Sequence, residues 1–172
     1  MSEAVENLKA SANLMSVLYV EDEHTIRGEI GKFLEKFFAN VYLAANGFEG
    51  LDLYKRHRPE IVLTDINMPK MDGVEMVKAI YEMEPGQVVA VISAYDFSDL
   101  LRPFVQHDVA LFMPKPVIFD AMLNGLQILV RKVETKKSLK QESDSVFARL
   151  IQRIETLEKR VAILEASAGH SS

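Results

Sequence analysis

The sequence predicts an α/β fold: a doubly wound, five-stranded parallel sheet in the order 2-1-3-4-5, followed by a C-terminal helical coiled coil. Three observations predict it. Short apolar runs alternate with amphipathic stretches from about residue 16 to residue 135. The runs are too short for ordinary helices and rich in β-branched residues, as strands covered on both faces are. Past them, from Leu126 to Ala168, there is neither Pro nor Gly, and apolar residues come to recur in steps of three and four.

Taken in order, residues 1–13 form an N-terminal extension. Glu3 and Glu6 without a basic n-region are not a secretory signal. The α/β domain is expected over 14–135. Its strands are Val17–Val20, Val41–Ala44, Ile61–Thr64, Val88–Ile92 and Ala110–Met113. Between them helical patterns run from Thr25 to Phe38, Gly47 to His57, Gly73 to Met83, Phe97 to Gln106, and from Phe119 onward. Ile26, Ile30, Phe33, Leu34 and Phe37 show the helical spacing in the first. Right-handed crossovers then leave few topologies. Residues 136–166 are expected to be a helical linker and coiled coil, and 167–172 a disordered tail.

Composition narrows the function classes. A net charge of −5 speaks against a protein that coats nucleic acid. With no cysteine, disulfides, thiolate metal sites and a Cys nucleophile are excluded. The longest apolar runs, such as Val88 to Ile92, fall far short of the roughly 20 residues that span a bilayer. A cytoplasmic location, away from membranes, is the expectation. The four histidines lack ligand-like spacing and read as solvated.

A sheet of this kind binds ligands at the carboxyl ends of its strands, near the reversal of strand order. Glu21 and Asp22 follow the first strand, Asp65 the third, Ser93 the fourth and Lys115 the fifth. Three carboxylates, a hydroxyl and a lysine therefore meet at one edge. Crowded carboxylates call for a cation, and Mg²⁺ prefers a few carboxylates with waters and phosphate oxygens. An ionised Asp65 could then attack phosphorus. Lys115 and Ser93 could serve two of the phosphoryl oxygens.

Four segments carry a family resemblance. They are Val17-Leu-Tyr-Val-Glu21-Asp22-Glu23, Leu63-Thr-Asp65-Ile-Asn67-Met-Pro69-Lys-Met-Asp72-Gly73, Val91-Ile-Ser93-Ala94 and Phe112-Met-Pro-Lys115-Pro116. In order and spacing they resemble bacterial response-regulator receiver domains, which have a flavodoxin-like fold, over about residues 14–135. The resemblance implies that Asp65 is the phosphoacceptor and that Glu21 and Asp22 form an acidic pocket for Mg²⁺. It further implies a metal-directed backbone carbonyl at Asn67, a switch hydroxyl at Ser93, an aromatic switch at Phe112 and the family's lysine at Lys115. Pro116 matches a residue that follows the lysine through a cis bond. Glu21 stands where Asp is more usual, lengthening one acidic arm, and Phe112 lacks a tyrosine's hydroxyl. Asp72-Gly73 reads most simply as turn chemistry.

In the C-terminal segment, Phe147, Ile154 and Val161 fall at a and Leu150, Leu157 and Leu164 at d. β-Branched a residues with Leu at d favour a parallel two-stranded coil. Arg153 and Arg160 fall at g, with Glu158 and Glu165 at e, so each Arg faces a Glu of the second chain only in a parallel pair. The other reading is an amphipathic helix folded back on its own domain. Residues 136–172 hold seven Lys or Arg against five Asp or Glu, too slight a bias to argue for DNA.

Together these readings describe a response regulator. The resemblance implies that a histidine kinase or phosphotransfer protein donates to Asp65 with Mg²⁺, and the signal is expected to pass to a homodimer paired through residues 147–164 or to an unknown downstream protein. No nucleic acid, membrane or enzymatic turnover is expected beyond slow self-dephosphorylation. One alternative is a receiver-fold scaffold that ignores phosphorylation. Another is an Asp-nucleophile phosphohydrolase, although Asn67 stands where such enzymes usually carry a second Asp.

Overall fold

The structure is a computed structural model, described over residues 3–94, 104 and 108–168. Its elements are α1 (Glu3–Ala12), β1 (Ser16–Val20), α2 (His24–Leu34), β2 (Asn40–Ala44), α3 (Gly47–His57), β3 (Ile61–Asp65), α4 (Gly73–Met83), β4 (Val88–Ser93), β5 (Leu111–Pro114) and α5 (Phe119–Ala168). The helix expected from Phe97 to Gln106 falls, except for Phe104, outside the described residues.

All strand pairs are parallel, and the order is β2-β1-β3-β4-β5, as the sequence predicts. Alternation along each strand divides the core into two layers. Val17 and Tyr19 of β1, Ile61 and Leu63 of β3, and Ala90 and Ile92 of β4 join Leu34, Leu126 and Leu129. Leu18, Val20, Val62, Val89 and Val91 point the other way, to Tyr54, Met76, Val77 and Ile80. Burying each Val, Leu, Ile or Met among them contributes about 1.5–3 kcal/mol. Two-faced burial is why the central strands β1, β3 and β4 lack a polar alternation.

The chain divides into two compact units, residues 1–133 and 134–172. In the first, α1 is an addition that the sequence reading assigned to no element. Val5, Leu8 and Ala12 give it one apolar stripe, and Leu8 and Ala12 are buried in the layer that holds Leu34 and Leu129. Two turns of stripe among polar residues make a weak periodic signal.

In the second unit the helix continues through the polar stretch around Gln141 to Ser145. The seam residues Phe147, Leu150, Ile154, Leu157, Val161 and Leu164 are all exposed. Among the described residues, no helix is long and apolar enough to cross a membrane.

Candidate functional site

The carboxyl ends of β1, β3, β4 and β5 bring the expected residues together. Carboxylate oxygens of Glu21, Asp22 and Asp65 all lie within 4.8 Å of one another. Glu21 and Asp65 are buried and Asp22 is exposed, so the cluster opens to solvent on one side. The Lys115 ammonium bridges two of them, at 2.6 Å from Asp65 Oδ2 and 2.7 Å from Glu21 Oε2. Burial pulls the Lys115 pKa down, but the hydrogen bonds and charges of Asp65 and Glu21 outweigh it and leave the lysine raised.

Main-chain register fixes these positions. Asp65 pairs with Ile92 and Ser93 with Pro114, so the nucleophile candidate, the hydroxyl and the lysine sit at the ends of adjacent strands. The Lys115 N–H donates to the Ser93 carbonyl at 2.8 Å, and Lys115-Pro116 is a cis peptide, as expected. Ser93 is buried at the end of β4. Phe112 is half-buried on β5, its ring centroid 5.8 Å from that of Phe104. Asn67 is exposed, two residues past Asp65.

Several contributors were not visible in the sequence. Arg27, one turn into α2, donates from Nη1 to the carbonyls of Glu21 at 2.5 Å and Asp22 at 3.0 Å, tying down the main chain that carries both acids. The Ile66 N–H donates to Asp65 Oδ1 at 2.6 Å. Tyr19, buried on β1, donates its hydroxyl to Glu21 Oε2 at 3.2 Å. Burial first, and then the Glu21 carboxylate, push its phenol well above the usual range, so it remains a donor.

Asp72 and Gly73 turn out to be more than a turn. Asp72 caps α4 in a capping box with Glu75. No glycine among the described residues has positive φ, so Gly73 is required by closeness and not by backbone freedom. A Cβ there would overlap the Asp65 carbonyl oxygen, and the Gly73 N–H donates to the Ile66 carbonyl at 2.8 Å. Gly47 does the same on the other side of the loop, where a Cβ would come within 2.7 Å of the Met71 carbonyl oxygen. The loop after Asp65 is thus wedged between two helix starts that lack side chains.

The donor set fits Mg²⁺. All the candidate ligands are hard oxygens, and opposite ligands of an octahedral ion with bonds of about 2.1 Å stand about 4.2 Å apart, so a slight closing of the cluster suffices. At formal charges, three carboxylates against one ammonium leave two negative charges, which a divalent ion offsets.

These residues form an acidic pocket with a paired lysine at the carboxyl edge of a doubly wound sheet, and comparison with known proteins assigns that sheet to a family. The response regulator receiver domain family matches residues 17–127. The chain belongs to that family, whose members act in two-component signalling. It is 32% identical over 128 residues to the transcriptional regulatory protein HptR of Staphylococcus aureus, covering 73% of this chain and 50% of the relative. This chain therefore spans about half the length of the curated relatives it matches. A receiver domain protein from Clostridium thermocellum aligns with a TM-score of 0.63 at 26% identity, over 73% of this chain and 99% of that one. A CheX-CheY-BeF3-Mg complex from Borrelia burgdorferi aligns with a TM-score of 0.58 at 31% identity, over 64% of this chain and 84% of that one.

Proposed function

We propose that the protein is a response regulator that accepts a phosphoryl group on Asp65, from a histidine kinase or phosphotransfer protein, with Mg²⁺ held at Glu21, Asp22, Asp65 and the Asn67 carbonyl. The observation that carries this reading is the Lys115 ammonium, 2.6 Å from Asp65 Oδ2 beside two further acids. An Asp65 oxygen forms a bond to phosphorus as the donor's P–N bond breaks, and the electron pair leaves with the imidazole. Bound Mg²⁺ would neutralise phosphoryl charge. Lys115, already touching Asp65, turns its charge to a phosphoryl oxygen, and Ser93 donates to another. The likeness to a beryllofluoride- and Mg-bound CheY supports the same chemistry.

Phosphorylation then draws Ser93 and Phe112 inward and changes the surface around β5. A ligand shifts such an equilibrium only by its differential interaction with the two states. The output is pairing of residues 147–164 in a parallel homodimer, or contact with a downstream protein. Water slowly removes the phosphoryl group; outside phosphate esters are not turned over, because Asn67 supplies no second acid.

The test is labelling with acetyl phosphate in the presence of Mg²⁺. Wild type takes up one phosphoryl group, detected as an added mass by intact-protein mass spectrometry. Asp65→Asn takes up none, and retained labelling at another residue would refute the assignment.

A further inference from the structure

Tyr19 and Glu21 are two residues apart on one strand direction, so their side chains share a face. That face is the buried layer beneath α2 and α5, where a hydroxyl needs a partner. The phenol is fully buried, and its hydroxyl reaches Glu21 Oε2 at 3.2 Å. The same oxygen receives Lys115 at 2.7 Å. Among the described residues, Oε1 receives only a long bond from the Glu23 N–H, at 3.3 Å. One oxygen of the carboxylate is therefore committed to the protein, and the other keeps lone-pair capacity for an ion.

We propose that Tyr19 is a positioning residue for the acidic pocket: its hydroxyl fixes the longer Glu21 arm so that Oε1 remains available to an ion. The inference rests on the reading of Glu21 as a metal ligand. Glu carries one more rotatable bond than Asp, and ordering that bond on metal binding costs conformational entropy. The tyrosine hydroxyl removes the cost by ordering it beforehand, as the outer partners of metal ligands do. The exchange Glu21→Asp would retract the carboxylate by one methylene, about 1.5 Å. The hydroxyl would then fall outside hydrogen-bonding range. Tyr19 and Glu21 thus form a matched pair, in which the tyrosine has a role only because the acid is long.

Isothermal titration of Mg²⁺ into the full chain tests this on wild type, Tyr19→Phe, Glu21→Asp and the double variant. Phe keeps the ring in the core and removes only the hydroxyl. With Glu21 in place, Tyr19→Phe should weaken Mg²⁺ on the order of 10-fold. In the Glu21→Asp background it should change affinity by less than about 2-fold, because the coupling is already absent. Equal affinity of wild type and Tyr19→Phe overturns the proposal. So does an equal loss in both backgrounds, which marks a general effect on the fold. If wild type itself binds no Mg²⁺, the metal-site reading fails and takes the positioning role with it, a result distinct from both.

Discussion

Lys115 answers to two acids, and the sign of its pH dependence follows. Its raised folded-state pKa means that the ammonium contributes stability fully below the lysine's ordinary 10.5, and that this is lost as pH rises through the raised value. The stability difference between wild type and Lys115→Met, read from urea unfolding, should therefore be flat across neutral pH and shrink only at strongly alkaline pH. A difference that vanished near neutrality would contradict the ion pairs to Asp65 and Glu21. At this scale, legibility depended on the kind of contact. Asp65, Asp22, Glu21 and Lys115 could be read because each ends a recognisable strand. Arg27 could not, since its bonds go to main-chain carbonyls, and on a helical pattern it reads as one more solvated charge. Tyr19 reads as core, and is core; only coordinates show where its hydroxyl points.

Two element starts hold the loop that follows Asp65, and each supports a prediction. Gly73→Ala would drive a methyl group into the Asp65 carbonyl, and α4 or the β3 end must shift. The cost is about 1–3 kcal/mol, measurable by chemical denaturation, and acetyl phosphate labelling should fall with it because Asp65 is the residue displaced. At α3, Asn46 accepts from the Glu49 N–H at 3.1 Å, and Glu49 accepts in turn from the Ala45 N–H at 3.0 Å. That backbone bond, with the Asn46 amide and the Lys70 and Arg27 charges, holds the Glu49 carboxyl below its ordinary 4.5 despite some burial. A lowered carboxyl contributes stability above the ordinary value and loses it as pH falls through the lowered one. Glu49→Gln should therefore cost stability at neutral pH and little in strong acid, in thermal melts. The helix starts at Gly47 and Gly73 fall where the sequence reading puts them, and Asn46 and Asp72 cap them with a Glu three residues on, although Asp72-Gly73 reads from the sequence only as a turn. α2 ends at Leu34, short of the expected Phe38; beyond it the chain tightens into i→i+3 turns (Lys36 N–H to the Phe33 carbonyl, Phe37 N–H to the Leu34 carbonyl), and Phe37 and Phe38 are buried.

Over the whole molecule, the exposed seam of the second unit is the feature that a lone chain leaves unexplained, since regular rows of Leu, Ile and Val rarely face water for no reason. In the proposed homodimer a second copy of the same helix covers it with matching charges, and orientation is the testable part. In a parallel pair Arg153 meets Glu158 of the other chain and Arg160 meets Glu165; in an antiparallel pair, Arg meets Arg and Glu meets Glu. Reversing only the arginines, with Arg153→Glu and Arg160→Glu together, turns each parallel contact from attraction to repulsion but leaves an antiparallel pair with like charges as before. Each exposed contact is worth only about 0.2–1 kcal/mol, but each occurs twice in a symmetric dimer, so the dissociation constant should rise on the order of 10-fold or more. Mixing that variant with a Glu158→Arg, Glu165→Arg chain should restore both sets of contacts in a heterodimer, each pairing Glu with Arg. Sedimentation equilibrium on each chain and on the mixture reads both effects. An unchanged constant for the arginine variant would remove the parallel coil, and with it the route by which Asp65 phosphorylation is proposed to reach a partner copy.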